Sequence, residues 1–320
     1  MAAERMIVQF LIFWFLSLST INAQILDVWA LGDGEKVFRE DLNHPAKSGN
    51  IIWDGDKISL RGLYNEVLAF QVITEIGNQG AKNLYLELGY PVHQEQGIVI
   101  AGSSLQYGPA GTIEIYSQHY LEVSQPTQPL WFYGSEKAAP AKMTGWIPDA
   151  LIPVDVQPSR GGFPMTLPVG ESSYNQGFWI DIHLPRDREN FPAGKYTSSV
   201  KIFEGSKLIA AIPLEIDLVD HYLSDENVSV VWMYCDIVEK YFTDLTQDEI
   251  LRMVKFEARR HRIEMTGGFL VNRRPFDENI LNDYLPYLNG EGYTPENGYI
   301  GPGQGQGEHI FPIGMYGSSV

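Results

Sequence analysis

The chain has one cysteine, Cys235, in 320 residues. No intramolecular disulfide is therefore open to it, and a lone thiol inside the apolar run VSVVWMYC reads as a small core residue rather than a nucleophile. Its seven histidines include no HExxH and no paired ligand spacing, so a zinc centre has no footing. GxSxG is missing, which excludes a nucleophile elbow, and GSS at Gly102–Ser104 is a turn. Positive charge is scarce: 23 Lys and Arg against 40 Asp and Glu leave a net charge of −17. Such a surface repels phosphate backbones and anionic lipid headgroups, so nucleic acid is not an expected partner. Past the N-terminus no run approaches the roughly 20 apolar residues of a membrane span, so no integral span is expected. GPGQGQG at Gly301–Gly307 has glycine spacing, but no strand precedes it and no helix opens after it, as a phosphate cradle requires.

What is present begins with an address. Arg5, the apolar run Met6 to Leu18, polar Ser19 and Thr20, and Ala23 before Gln24 read as a signal peptide over 1–23. Export to the periplasm, cell surface or exterior follows. The 44% hydrophobic content belongs to a globular protein with room for two cores. Aromatics at 12% on an acidic chain suit neutral sugars, although β-rich core packing accounts for most of them.

Short alternating runs dominate up to about Asp220. Val67–Thr74, Asn83–Tyr90, Thr112–Val123, Phe178–Leu184, Thr197–Glu204 and Leu208–Val219 read as strands, and the absence of a long helix among them predicts a β-sandwich over 24–223. EGSK, Glu204 to Lys207, predicts a tight turn that makes the last two strands antiparallel neighbours. Gly177 to Ile202 reads as a β-hairpin turning at Ala193 and Gly194. GWIPDALIP, Gly145 to Pro153, reads as a rigid aromatic and proline connector within a Pro-rich stretch, Gln125 to Pro168, that wraps one sheet edge.

After Asp220 the pattern changes. NVSVVWMYC is the near-continuous run of a parallel strand buried on both faces. Thr246 with Glu249 forms a capping box, and Arg259, Arg260, His261 and Arg262 crowd the negative end of the helix so started, with His261 explained by the last carbonyls. Ile250, Val254, Ala258 and His261 trace one face. IEMTGGFLV supplies a second strand. Asn272 to Val320 reads as a long loop, poorly supported, whose tyrosines favour a lid or substrate-facing role. The fold class is mainly β: a sandwich followed, over 224–320, by the first βαβ portion of an incomplete (β/α)8 barrel, which takes roughly 250 residues when whole.

Gly177 to Ile202 and Gly145 to Pro153, with VWALGDGEKV from Val28, GLYNEVLAFQVI from Gly62, LEIDLVDHYLSDENVSVVWMY from Leu214 and YLNGEGYTPENGYIGPG from Tyr287, resemble in order and spacing the N-terminal part of glycoside hydrolase family 123. The resemblance implies a secreted enzyme that hydrolyses N-acetylhexosaminides with retention, the acetamido carbonyl attacking its own anomeric carbon while adjacent Asp and Glu orient it and protonate the leaving oxygen. It implies a glycan substrate and no metal or organic cofactor. It also places the catalytic pair beyond Val320, so no catalytic residue is expected in this chain, which is expected to be inert alone.

Of the four adjacent acidic pairs, Glu40 with Asp41 falls in the sandwich, Asp225 with Glu226 precedes the first barrel strand on the wrong face, and Asp248 with Glu249 starts a helix. Asp277 with Glu278 follows the second strand and begins a short helix through Tyr284, so capping or solvation accounts for it. Asp236, Asn272, Arg273 and Tyr287 are the candidates for lining a sugar pocket. A different reading makes the sandwich a noncatalytic carbohydrate-binding or surface-interaction module using Trp131 or Trp146. A third makes Trp146 an interdomain plug.

Overall fold

A computed structural model describes residues 24–100, 112–125, 144–234, 241–266 and 278–309. The strands are β1 (Ile25–Gly32), β2 (Ile58–Tyr64), β3 (Val67–Ile76), β4 (Ala81–Leu88), β5 (Val92–His93), β6 (Thr112–Val123), β7 (Gly145–Pro153), β8 (Met165–Leu167), β9 (Tyr174–His183), β10 (Gly194–Glu204), β11 (Lys207–Tyr222), β12 (Trp232–Tyr234) and β13 (Glu264–Thr266). Two helices, α1 (Gln247–Arg260) and α2 (Glu278–Leu288), follow the sandwich.

One sheet runs β1-β3-β9-β6-β7 and the other β2-β11-β10-β4-β8, with β5 also on β10. Side chains alternate across a strand, so Phe70, Phe178 and Ile180 of the first sheet meet Val200, Ile202 and Ile216 of the second in one shared core. The turn between β10 and β11 is the expected tight one: Glu204 pairs Lys207 and Gly205 takes φ +59, the conformation a two-residue hairpin demands and glycine adopts without strain.

The expected hairpin from Gly177 to Ile202 is not one. β9 lies between β3 and β6 in the first sheet, whereas both edges of β10 are taken by β11 and β4 in the second. The intervening loop therefore crosses between sheets. Alternation identifies a strand but not its partner, and β9 has its inner residues matched in register to both neighbours. Gly145–Pro153 is also more than a connector. It is β7, an edge strand in which Pro148 and Pro153 leave no inner ladder bond unmade, as prolines at an edge do. β8 lies at the edge of the other sheet, so the described parts of the Pro-rich stretch lie on an edge of each sheet rather than wrapping one.

The outer face of the first sheet is covered by residues 33–41. Gln71 Nε2 donates to the carbonyls of Gly32 and Glu35, each at 2.8 Å, and Asn175 Nδ2 to those of Phe38 and Asp41 at 3.0 and 2.9 Å. Gln118 Nε2 donates to Gln71 Oε1 at 2.7 Å. Buried amides thus find partners in sequence of no regular structure, as burial requires.

Beyond β11, strand β12, helix α1 and strand β13 form a βαβ unit, with Trp232, Met233 and Tyr234 paired in parallel to Glu264, Met265 and Thr266. The capping box is made: Glu249 N donates to Thr246 Oγ1 at 3.3 Å and Thr246 N to Glu249 Oε2 at 2.8 Å. Ile250 and Ala258 pack with Met265 and Tyr284, while His261 lies off that face and is exposed. β12 is not buried on both faces; Trp232 is 51% and Met233 45% exposed, because among the described residues its sheet has two strands. The segment from Asn272 is not all loop: the short helix read through Tyr284 is α2, which begins at Glu278 and runs on to Leu288. Two short 3-10 turns, Glu291–Tyr293 and Pro295–Asn297, follow it. No helix among the described residues is long and apolar enough to cross a membrane.

Candidate functional site

The glycine-rich tail is held by the basic end of α1. Arg259 is buried and donates through Nε and NH2 to the Gly303 carbonyl, each at 3.2 Å, and through NH2 to that of Gln306 at 2.7 Å. Lys255 Nζ reaches both oxygens of Glu308 at 2.8 and 2.7 Å, wholly buried, and the Tyr293 hydroxyl donates to the same carboxylate. Burial lowers the Lys255 pKa, with the Glu308 charge opposing it. Tyr284, Tyr293 and Tyr299 are buried around this pair, so these tyrosines form a core rather than a lid, and the tail is well supported. Of the arginines expected to serve the helix dipole, Arg259 and Arg262 serve carbonyls outside the helix and Arg260 serves carboxylates; long charged stems pack while their heads find acceptors.

Tyr287, the sugar-pocket candidate on described residues, is half-buried in α2. Its ring lies 4.8 Å from Lys255 Nζ and 5.4 Å from the Tyr293 ring, a cation-π and aromatic contact. Asp236, Asn272, Arg273, Trp131, Cys235, Asp277 and the segment 1–23 lie outside the described residues. Trp146 is half-buried in β7 with the Arg39 guanidinium 5.0 Å from its ring. That neighbour belongs to the sandwich itself.

Asp225 has the most partners of the acidic pairs. Its Oδ1 accepts from Asn65 Nδ2 and from the Gly303 amide, both at 3.0 Å, and its Oδ2 from Arg186 NH2 at 2.6 Å and the Tyr222 hydroxyl at 3.2 Å. It joins sandwich, linker and tail. Glu249 is committed to Thr246, which also lowers its pKa.

The open chemistry gathers elsewhere, in a cleft between the outer face of the first sheet and the C-terminal end of α1. Tyr116 stands directly opposite Trp179, and Glu114 opposite Asp181, on β6 and β9. Trp179 Nε1 donates to Asp181 Oδ1 at 2.7 Å. From the helix side Arg260 NH2 meets Glu114 Oε1 at 2.5 Å and its NH1 meets Glu257 Oε2 at 3.2 Å, while His261 Nε2 and Glu257 Oε1 lie 3.3 Å apart. His261 therefore serves Glu257 and not the last carbonyls. Two adjoining hollows of about 420 Å³ each share Tyr116, Leu151, Glu257 and Arg260 in their walls. Burial pushes the Asp181 carboxyl up to about 6, reinforced by Glu114 and opposed by the Trp179 bond, His261 and Arg260. The bond to Glu257 raises His261. No group of three or more metal-ligating side chains occurs among the described residues. Of this cleft the sequence offers Arg260 and His261 only as partners of the helix end; the rest is not legible because the members come from β6, β9 and α1, far apart in the chain, with local signals confined to the i, i+2 spacing of Trp179 and Asp181 and the i, i+4 spacing of Glu257 and His261.

A β-sandwich joined through a polar junction to a βαβ unit is the class of architecture these elements define. The same fold occurs in a family 123 glycoside hydrolase from Clostridium perfringens, studied for glycolipid glycan hydrolysis: 13% identity, TM-score 0.52, covering 74% of this chain and 37% of that one. The chain thus spans well under half the length of that enzyme. The pilus backbone protein RrgB of Streptococcus pneumoniae aligns at 11% identity over 59% of this chain and 57% of its own, with a TM-score of 0.23, too low for any inference. No protein-family model matches the chain, and no curated protein matches it.

Proposed function

We propose that the chain is the N-terminal part of an exported glycoside hydrolase of the family 123 type, with 1–23 as a signal peptide cleaved near Ala23. The observation that carries this reading is the shared fold over 74% of the chain, with a parallel βαβ unit where the catalytic barrel of such an enzyme would begin. The apolar residues exposed on β12, Trp232 and Met233, support it, since a parallel strand ordinarily has both faces covered. In the complete enzyme, N-acetylhexosaminides are hydrolysed with retention by substrate assistance, without metal or organic cofactor. Residues 24–320 alone are inert, and Asp277 with Glu278 is not the catalytic pair.

The test compares residues 24–320 with the protein isolated from its source on an aryl N-acetylgalactosaminide. The expected result is an intact mass above that of 24–320 together with sugar release by the isolated protein alone. Release by 24–320 that disappears in an Asp277→Asn, Glu278→Gln double variant overturns the assignment of the catalytic pair. A source protein that has the larger mass but releases no sugar overturns the hydrolase reading.

A further inference from the structure

We propose that the cleft between β6, β9 and the end of α1 is a binding site for a single neutral hexopyranose unit of a glycan. The choice of ligand class rests on the glycan-acting reading above, whereas the existence of the cleft does not.

Size comes first. A hollow of about 420 Å³ falls in the range of small-molecule sites, roughly 300–1,000 Å³, and it widens into a second hollow of similar volume along the same wall. A sugar ring fills one of these while the glycan continues through the other.

The lining then narrows the chemistry. Its floor is a cross-strand aromatic pair, Trp179 and Tyr116, neither fully buried. An aromatic side chain offers an apolar face to the C–H side of a pyranose and, through Trp N–H or Tyr O–H, a polar tip. Around it stand Asp181, Glu257 and His261: the Glu257 carboxylate, held below its ordinary range by the His261 bond, accepts from hydroxyls, and the His261 ring donates or accepts according to its protonation. The Asp181 carboxyl, poised near 6, both donates and accepts under mildly acidic conditions.

Charge excludes the anionic sugars. Arg260 is already engaged by Glu114 and Glu257, and Arg262 by the carbonyls of Ser224 and Asn65 at 2.7 and 3.3 Å. A uronate entering the cleft meets Asp33, Glu66, Asp181 and Glu257 with both of these guanidinium groups committed. Four carboxyls against two guanidinium groups that already hold partners fit a ligand that carries hydroxyls and no charge.

The cleft also has a reason to be where it is. Its floor belongs to the sandwich and its wall to α1, so a bound unit touches both parts. Occupancy therefore stabilises their docking as any ligand bound only by the native state does.

The test titrates the chain with galactose, N-acetylgalactosamine and galacturonate, read by tryptophan fluorescence and by calorimetry. Expected are saturable one-site binding of one or both neutral sugars at millimolar concentration, at least tenfold weaker binding of galacturonate, and at least tenfold loss in Tyr116→Ala and in His261→Ala. His261 is exposed, so His261→Ala tests the site even where Tyr116→Ala fails to fold. No saturable binding of either neutral sugar overturns the proposal, as does binding that galacturonate matches or that His261→Ala leaves unchanged. Failure of the hydrolase reading shows separately, as a full-mass source protein that releases no sugar while the cleft still binds. Failure of the cleft shows as hydrolysis by the source protein with no His261-dependent binding.

Discussion

Arg186 NH2 donates to Asp225 Oδ2 at 2.6 Å, with the two side chains 23% and 16% exposed. The loop that crosses from the first sheet to the second is thereby pinned to the linker after β11. The same guanidinium donates through NH1 to the Gly301 carbonyl at 3.1 Å, and the same carboxylate accepts the Gly303 amide. Sandwich and tail are thus fastened through this ion pair.

Asp225→Ala takes the anion from Arg186 and the acceptor from the Gly303 N–H, and leaves the Asn65 amide only the Leu223 carbonyl. Leaving partly buried donors unsatisfied in this way costs about 1–3 kcal/mol, so a loss of that order is expected in urea unfolding. Asp56→Ala, at an exposed turn, is the control. Equal effects of the two substitutions contradict the junction role.

Lys255 and Glu308 make the same kind of pair deeper in, where both side chains are almost wholly buried. Glu308→Gln leaves a buried ammonium without its anion, a loss of about 3–5 kcal/mol. Lys255→Met combined with Glu308→Leu removes both charges and recovers much of it. A double variant no more stable than Glu308→Gln, in equilibrium unfolding, shows that the pair contributes by more than mutual compensation.

Two glycines of the tail separate backbone strain from contact. Gly303 has φ +72, and a Cβ there meets Arg259 Nε at 2.7 Å; Gly298 has φ +85 with nothing within 4 Å. Alanine at Gly298 pays only the left-handed penalty, about 1–2 kcal/mol. Alanine at Gly303 also displaces Arg259 from its carbonyls, so Gly303→Ala is expected to be the more destabilising and to raise amide exchange at Gln306, whose carbonyl Arg259 holds. Equal losses contradict the clamp.

The strands were legible where periodicity alone decides. Thr112–Val123 is β6 as read, and the Thr246–Glu249 box starts α1. Partnership was not legible: the alternation in Phe178–Leu184 is the same whether β9 pairs with β10 or sits between β3 and β6, and only the long-range register distinguishes them. β7 escaped because its prolines, permitted by its edge position, look like punctuation. The helix dipole offers the arginines after Ala258 only about 0.3–1 kcal/mol, and Arg259 instead makes buried hydrogen bonds to the tail while Arg260 pairs with Glu114 and Glu257. The cleft was illegible for a different reason, since Trp179, Tyr116 and His261 belong to three elements whose adjacency is a property of the fold.

Asp181 and His183, two residues apart on β9, set opposing pH dependences. Burial raises Asp181 from 3.8 to about 6, with Glu114 adding and the Trp179 bond, His261 and Arg260 subtracting. Burial lowers His183 from 6.5 to about 3, and the charges of Arg186, Arg262 and Arg260 push the same way. For Asp181 the folded state binds the extra proton, so its contribution to stability is present in full below 3.8 and is lost as pH rises through about 6. For His183 the unfolded state binds the extra proton, so its contribution is present above 6.5 and is lost as pH falls through about 3. Between roughly pH 4 and 6 the two slopes cancel. Asp181→Asn keeps an acceptor for Trp179 and removes the first slope, so relative to the parent the variant gains up to about 3 kcal/mol between pH 4 and 7. His183→Gln removes the second slope and shifts the other way, losing its disadvantage as the pH falls. Unfolding free energies of the three proteins at pH 4, 5.5 and 7 measure both differences. A difference between Asp181→Asn and the parent that stays constant over this range would mean that Asp181 is ionised in the folded protein throughout, and the mildly acidic poise of the cleft would be lost with it.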